Sequence, residues 1–300
     1  MDAFLRSAAN LARPQTDQPA VPSEVPAARA RLSIEPISDG LSPGPAVTVA
    51  GASKIFSNGT HALANIHLSV LSGEFVSFIG PSGCGKSTLL KMIANLYEPT
   101  EGKISWWGGD RRQIGGPGRR LAFVFQDPTL MPWARVEKNV RLALDLEPRG
   151  TQDTNALVAA ALEQVGLTRF ARSYPRQLSG GMRMRVSIAR ALVDSPNLLL
   201  MDEPFGALDE FTRNKLDLDL VQLAWKQRLT TLFVTHSIYE AVFLSTRIIV
   251  LAANPGRIYG ELLVDEPQLR TDAFRDSDRF SELCRELSRM LTGASKAVMA

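Results

Sequence analysis

From Val47 onward, short apolar runs alternate with stretches of helical periodicity, a pattern that predicts an α/β domain with parallel strands inside. Phe75 to Ile79 reads as a buried strand, and Lys86 to Asn95 as the helix that follows it. Further strands are expected at Leu121 to Phe125, Leu198 to Met201, Thr231 to Thr235 and Arg247 to Leu251. Between Asp127 and Ser195 the strand signal stops, and helical patterns such as Thr154 to Val165 and Arg183 to Val193 take over. That interruption predicts a helical subdomain, about 127–195, inserted between strands of the core. Val47 to Ser72 reads as a small antiparallel sheet at the edge, and an amphipathic helix is expected near Phe280 to Leu291.

The first 46 residues break this pattern. Seven of the chain's 18 prolines fall there, among Ala and Ser, and such a stretch buries too little apolar surface to offset its ordering entropy. It is expected to be a disordered tail, and its opening apolar stretch is too short for a signal peptide. The division expected is therefore a tail over 1–46, a main domain over 47–264 and a polar, helical extension over 265–300. No segment supplies about 18 uninterrupted apolar residues, and the best candidate, Ala241 to Ala253, is cut by Arg247. A membrane, if involved, is touched and not crossed.

Composition narrows the class without naming it. Hydrophobic residues make up 45% of the 300 and charged ones 22%, as a globular protein requires. The formal charge of +3 is spread along the chain and forms no basic run, which argues against nucleic acid as a partner. Of the two cysteines, Cys84 lies inside a glycine-rich loop where a disulfide would obstruct the loop, so a reducing compartment is expected.

That loop carries the strongest chemistry. The strand ending at Ile79 runs into Gly80, Pro81, Ser82, Gly83, Cys84, Gly85, Lys86, Ser87 and Thr88 and then into a helix, satisfying G-x-x-x-x-G-K-S/T in its strand–loop–helix setting. Glycines let successive backbone N–H groups turn toward one point, and the helix N-terminus adds partial positive charge, so the loop is an anion cradle suited to polyphosphate. Lys86 is placed to reach the β- and γ-phosphates and the Ser87 hydroxyl to ligate Mg²⁺. A second strand, Leu198 to Met201, runs into Asp202 and Glu203, and a buried carboxylate pair is costly without a cation. Asp202 is expected to hold Mg²⁺ through its water shell, and Glu203 to act as general base toward the attacking water.

Between these elements stand Leu178, Ser179, Gly180, Gly181 and Met182 at a helix start, a second anion nest that must serve a different nucleotide, since the first loop already holds the chain's own. At this point the sequence, over about Val47 to Gly260, resembles the ATP-binding cassette family. The resemblance implies a P-loop NTPase fold whose mostly parallel core sheet carries an antiparallel edge subdomain and an inserted helical subdomain. It implies that the second nest contacts the γ-phosphate bound to the other subunit of a dimer. Gln126 resembles the Q-loop glutamine that touches Mg²⁺ and water, Asp209 the D-loop aspartate, and His236 the switch histidine at the γ-phosphate. Phe56 occupies the place of an adenine-stacking aromatic, usually Tyr; core packing is the alternative for it. Met182, Met184 and Asn95 depart from common family residues, yet no phosphate ligand is lost, so hydrolysis of ATP is expected.

The stretch from Phe125 to Trp133, with Asn139, Val140 and Phe205 to Arg213, is similar to a subgroup serving nitrate, sulfonate and taurine importers. This implies an ATPase homodimer, two integral membrane permease subunits, an extracytoplasmic solute-binding protein, and a peripheral position on the cytoplasmic face of a bacterial inner membrane. Trp133 is either an anchor against the membrane subunits or a core residue of the helical subdomain. A regulatory domain after the cassette is not expected. The competing class is a cassette ATPase acting on nucleic acid or ribosomes; its marks, long coiled-coil insertions or a second phosphate loop, are not in this sequence.

Overall fold

The computed structural model describes residues 44–116, 118–146, 153–266 and 270–297, so nearly all of the expected tail lies outside the described residues. Strands β1 (Pro45–Ile55) and β2 (His61–Leu71) form an antiparallel hairpin. They are followed by β3 (Phe75–Ile79) and helix α1 (Lys86–Ile93). Strand β4 (Glu101–Trp106) returns to the free edge of β1, closing a three-stranded antiparallel sheet ordered β2-β1-β4. After β5 (Leu121–Val124) come α2 (Val136–Leu146), α3 (Thr154–Gln164) and α4 (Gly180–Leu192). Then β6 (Leu198–Asp202), α5 (Glu210–Gln227), β7 (Thr230–Val234), α6 (Ile238–Leu244), β8 (Arg247–Ala252) and β9 (Arg257–Leu263) complete the second sheet. Helices α7 (Asp272–Arg275) and α8 (Asp278–Lys296) follow.

The second sheet is ordered β5-β6-β7-β3-β8-β9 and is parallel except for the β8–β9 pair. Every residue of β3, β6 and β7 is buried, because helices or the other sheet cover both faces. Side chains alternate between two cores, as the strand repeat of two requires. Phe75 and Ile79 face a cluster with α4, α5, α6 and α8, whereas Val76 and Phe78 face α1 and the antiparallel sheet. Helices α2, α3 and α4 share a third cluster built on Val140, Leu144, Leu162 and Val186. Phe280, Leu283 and Leu287 of α8 belong to the first cluster, so this helix packs into the interior of the parallel sheet's flank.

The consequence for chemistry is topological. Strands β3, β6 and β7 are consecutive neighbours, and their C-terminal ends release Gly80, Glu203 and Thr235 at one rim of the sheet. Open α/β sheets bind ligands at that rim.

Candidate phosphate site

The loop between β3 and α1 needs its glycines for definite reasons. Gly85 has φ +91, and a Cβ there would sit 2.6 Å from Leu63 Cδ2 and 2.8 Å from the Ala62 carbonyl oxygen. At Gly80 a Cβ would meet the Leu251 carbonyl oxygen at 2.4 Å. Gly85 is also the N-cap of α1, so no side-chain oxygen occupies the amides of that helix's first turn. Lys86 is buried; its Nζ donates to the carbonyls of Gly80 at 2.9 Å and Pro81 at 3.1 Å, which holds the ammonium at the loop. Cys84 is buried as a free thiol 3.9 Å from the same Nζ. Burial pushes this thiol's pKa up against the pull of Lys86.

Ser87 links the loop to the neighbouring strand end. Its Oγ donates to Asp202 Oδ1 at 2.7 Å. Burial raises the Asp202 pKa, and the Ser87 hydrogen bond and the charges of Lys91 and Lys86 oppose the rise. Glu203 follows in the left-handed region at φ +46, its amide donating to the Val234 carbonyl at 3.0 Å. That turn swings its side chain off the strand direction, and Oε2 lies 3.4 Å from His236 Nδ1. Gly206 passes close beneath the pair; a Cβ there would sit 3.4 Å from His236 Cε1.

The structure thus brings together Gly80 to Thr88, Asp202, Glu203 and His236. Gln126 is exposed, two residues beyond Val124, the last residue of β5, which pairs with Met201 of β6. Phe56 is half-buried and outside the core clusters, edge-on to Tyr97 with centroids 5.7 Å apart and planes at 87°. Lys54 Nζ lies 5.6 Å from the Phe56 centroid and 5.8 Å from that of Tyr97. Neither Tyr97 nor Lys54 carries a motif that marks it in the sequence. Phe56 thus packs on Tyr97 and belongs to none of the core clusters.

The second nest lies elsewhere in the fold. Ser179 caps α4, its Oγ accepting from the Met182 amide at 3.3 Å, and Leu178 is buried in the helical cluster. Gly181 is pressed against the start of α5, where a Cβ would meet Thr212 Cγ2 at 2.8 Å; Gly180 faces Leu208. Asp209 caps α5 by accepting from the Thr212 amide at 3.0 Å, and that bond holds its carboxyl below the ordinary range. Among the described residues, no hydrogen bond joins residues 178–182 to residues 80–88. Met182 and Met184 leave the cap geometry intact, since the cap uses only the amide of residue 182.

Trp133 is 76% exposed, which excludes the core role for it. The segment before it is fixed by two side chains. The wholly buried Asn139 accepts from the Met131 amide at 2.7 Å and donates to the Ala134 carbonyl at 3.0 Å. Arg190 of α4 donates to the carbonyls of Pro128 at 2.9 Å and Thr129 at 3.0 Å. No described helix is long and apolar enough to cross a membrane.

Comparison with known proteins agrees with this geometry. A family model described as ABC transporter matches residues 63–206. An uncharacterized ABC transporter ATP-binding protein of Methanocaldococcus jannaschii is 44% identical over 246 residues, 81% of this chain and 90% of its own. The aliphatic sulfonates import ATP-binding protein SsuB of Bacillus cereus is 44% identical over 245 residues, 80% of this chain and 94% of its own. Among solved structures, a dimeric ATP-binding cassette in a post-hydrolysis state bound to ADP and Pi superimposes with a TM-score of 0.66 at 34% identity. The match covers 74% of this chain and all of that one.

Proposed function

Since the chain belongs to the ABC transporter family of ATP-binding cassettes and hydrolyses ATP, we propose that it drives import of a small solute as the nucleotide-binding subunit of a membrane transporter. The observation that carries this reading is the single rim where the phosphate loop, Asp202, Glu203 and His236 meet at the ends of three adjacent strands.

The roles follow from the positions. Backbone amides of Gly80 to Thr88 and the Lys86 ammonium bind the β- and γ-phosphates, and Lys86 exchanges its carbonyl partners for phosphate oxygens. Phe56 offers its ring to adenine. The hydroxyl of Ser87 and the carboxylate of Asp202 are hard oxygen donors 2.7 Å apart, a set that fits Mg²⁺, which takes one or two protein oxygens and completes its shell with phosphates and water. Ser87, Asp202 and Gln126 are the residues that would hold it. When bound, the ion neutralises charge that develops on the phosphates. Glu203 accepts the proton of the attacking water at Oε1 or Oε2, and His236 orients that carboxylate and the γ-phosphate.

One copy of this arrangement is incomplete. Ser179, Gly180 and Gly181 lie against the Leu208 to Thr212 segment and, among the described residues, make no hydrogen bond to the phosphate loop of their own chain, which supports their serving the nucleotide of a second copy. Two chains close on two ATP molecules, and closure passes through Gln126 to Trp133 to a pair of permease subunits. The cassette spans 47–264, with 127–195 as the subdomain that meets the permeases. Likeness to an aliphatic-sulfonate import subunit supports an aliphatic sulfonate, or a related solute such as nitrate or taurine, as cargo. A solute-binding protein delivers it outside the bacterial cytoplasmic membrane.

Affinity purification of the full-length Glu203→Gln chain from native membranes with MgATP tests this. Recovery of an integral membrane permease together with a solute-binding protein that binds sulfonates is expected. Recovery of ribosomes or DNA, with no membrane subunit, would overturn the transport reading.

A further inference from the structure

Four ionisable side chains meet beneath the loop that carries His236. Glu240 of α6 is 4% exposed, and its two oxygens face different partners. Oε2 accepts the hydroxyl hydrogen of Thr235, while Oε1 lies 3.3 Å from Arg213 Nε. Thr235 immediately precedes His236, and its Oγ1 accepts from the Ser237 amide at 2.9 Å, so the hydroxyl grips the chain on both sides of the histidine. Arg213 of α5 also donates to the Leu208 carbonyl at 2.8 Å, in the segment leading to Asp209.

One turn along α5, wholly buried Asp217 pairs with Arg275 of α7 at 2.9 Å, and Arg275 lies 3.6 Å from the Phe243 ring centroid in α6. Burial raises the pKa of both carboxyls, first by desolvation in each case. Replacing a buried ion pair with apolar residues of the same size is often neutral or stabilising, so stability alone is a weak reason for a sequence to bury these charges. What the cluster does supply is a fixed distance between the loop of His236, at the phosphate site, and the Leu208–Asp209 segment beside the Ser179 nest.

We propose that Glu240 is a positioning residue for ATP hydrolysis: by joining Thr235 to Arg213 it sets His236 against the Leu208–Asp209 segment, with Arg275 and Asp217 completing the buried charge balance. The inference rests on the role given to His236 above. It assigns the C-terminal segment a share in the ATPase site, since Arg275 is one of the two cations of the cluster. Glu240 touches no phosphate in this arrangement; it acts through Thr235, and a loss of its carboxylate frees the switch loop without removing any group that binds nucleotide.

Steady-state ATPase kinetics of the full chain read this directly, for Glu240→Gln, Thr235→Val, Thr235→Ser, His236→Ala and the double variant Thr235→Val with His236→Ala. Melting temperatures are measured alongside. Glu240→Gln and Thr235→Val are expected to lower kcat about tenfold or more, the size of effect a displaced catalytic group produces, while KM for ATP stays within about twofold. Thr235→Ser, which keeps the hydroxyl, restores kcat. In the His236→Ala background Thr235→Val produces no further fall. Should Glu240→Gln fail to fold, the isosteric Thr235→Val carries the test alone. Wild-type kcat in Thr235→Val beside an inactive His236→Ala would overturn the positioning role and leave the histidine's role standing. An equal fall from Thr235→Val in both backgrounds would also overturn it. Wild-type kcat in His236→Ala would overturn the reading of the site itself.

Discussion

Replacing Gly85 with Ala places a methyl group where the phosphate loop meets the antiparallel sheet. Two costs add. At φ +91 an L-residue carries backbone strain of about 1–2 kcal/mol. The new Cβ also falls 2.6 Å from Leu63 Cδ2 and 2.8 Å from a backbone oxygen, Ala62 O, and the second of these belongs to a strand that cannot step aside. Overpacking of this kind costs about 1–3 kcal/mol. Gly83 supplies the control, because it shares the strain at φ +77 but its Cβ would meet nothing within 4 Å. Urea denaturation of the two alanine variants should therefore place Gly83→Ala about 1–2 kcal/mol below wild type and Gly85→Ala lower by a further 1–3 kcal/mol or so. ATP titration should show Gly85→Ala binding more weakly than Gly83→Ala, as the loop shifts to relieve the contact. Equal stability of the two variants, or a larger loss at Gly83, would refute the claim that the Ala62–Leu63 contact dictates glycine at position 85.

Asp217→Asn is expected to gain stability relative to wild type as pH rises. Burial and the nearby Glu240 raise the Asp217 carboxyl from 3.8 to about 7 against the pull of Arg275 and Arg213. Below about pH 4 the group is neutral folded and unfolded; between about pH 4 and 7 only the folded chain keeps the proton, so wild-type stability falls as pH climbs through that window. The whole change across that window is on the order of a few kcal/mol. Melting curves of both proteins from about pH 5 to pH 8 check it, and a difference that stays constant or shrinks with pH contradicts the assignment. Phe56→Leu should raise KM for ATP severalfold while sparing kcat, since it removes the ring face offered to adenine and touches no phosphate ligand. Competition with a fluorescent ATP analogue measures this, and unchanged affinity would return the residue to a packing role.

The parallel sheet was legible because strands buried on both faces leave nearly continuous apolar runs, as at Leu198 to Met201 and at Phe75 to Ile79, where Ser77 is the one polar residue. The antiparallel strands β4 and β9 leave no such trace. In β4 only Ile104 and Trp106 are buried, and in β9 only Leu262 is. Helix α5 escaped for a different reason: its buried face runs Leu216, Asp217, Leu220, Val221, Ala224, and a charged residue in the middle breaks the apolar stripe. The phosphate loop and the carboxylates after β6 were readable, since backbone geometry and local order fix them within a few residues. The Thr235–Glu240–Arg213 bridge and the Arg275–Asp217 pair were not, because the latter joins residues 58 apart and no local pattern announces the meeting. Trp133 read from the sequence as either an interface anchor or a core residue, and its exposure excludes the core role.

In the proposed dimer each ATP is hydrolysed between the phosphate loop of one chain and the Ser179 nest of another. Lys86→Ala and Ser179→Arg each disable one half of every composite site, so either variant alone should be inactive. A mixed dimer of the two contains one site in which both halves are native. ATPase activity that appears on co-refolding the inactive variants, and that neither shows alone, is the predicted result. A mixture as inactive as its components, or full activity from Ser179→Arg by itself, would contradict the account.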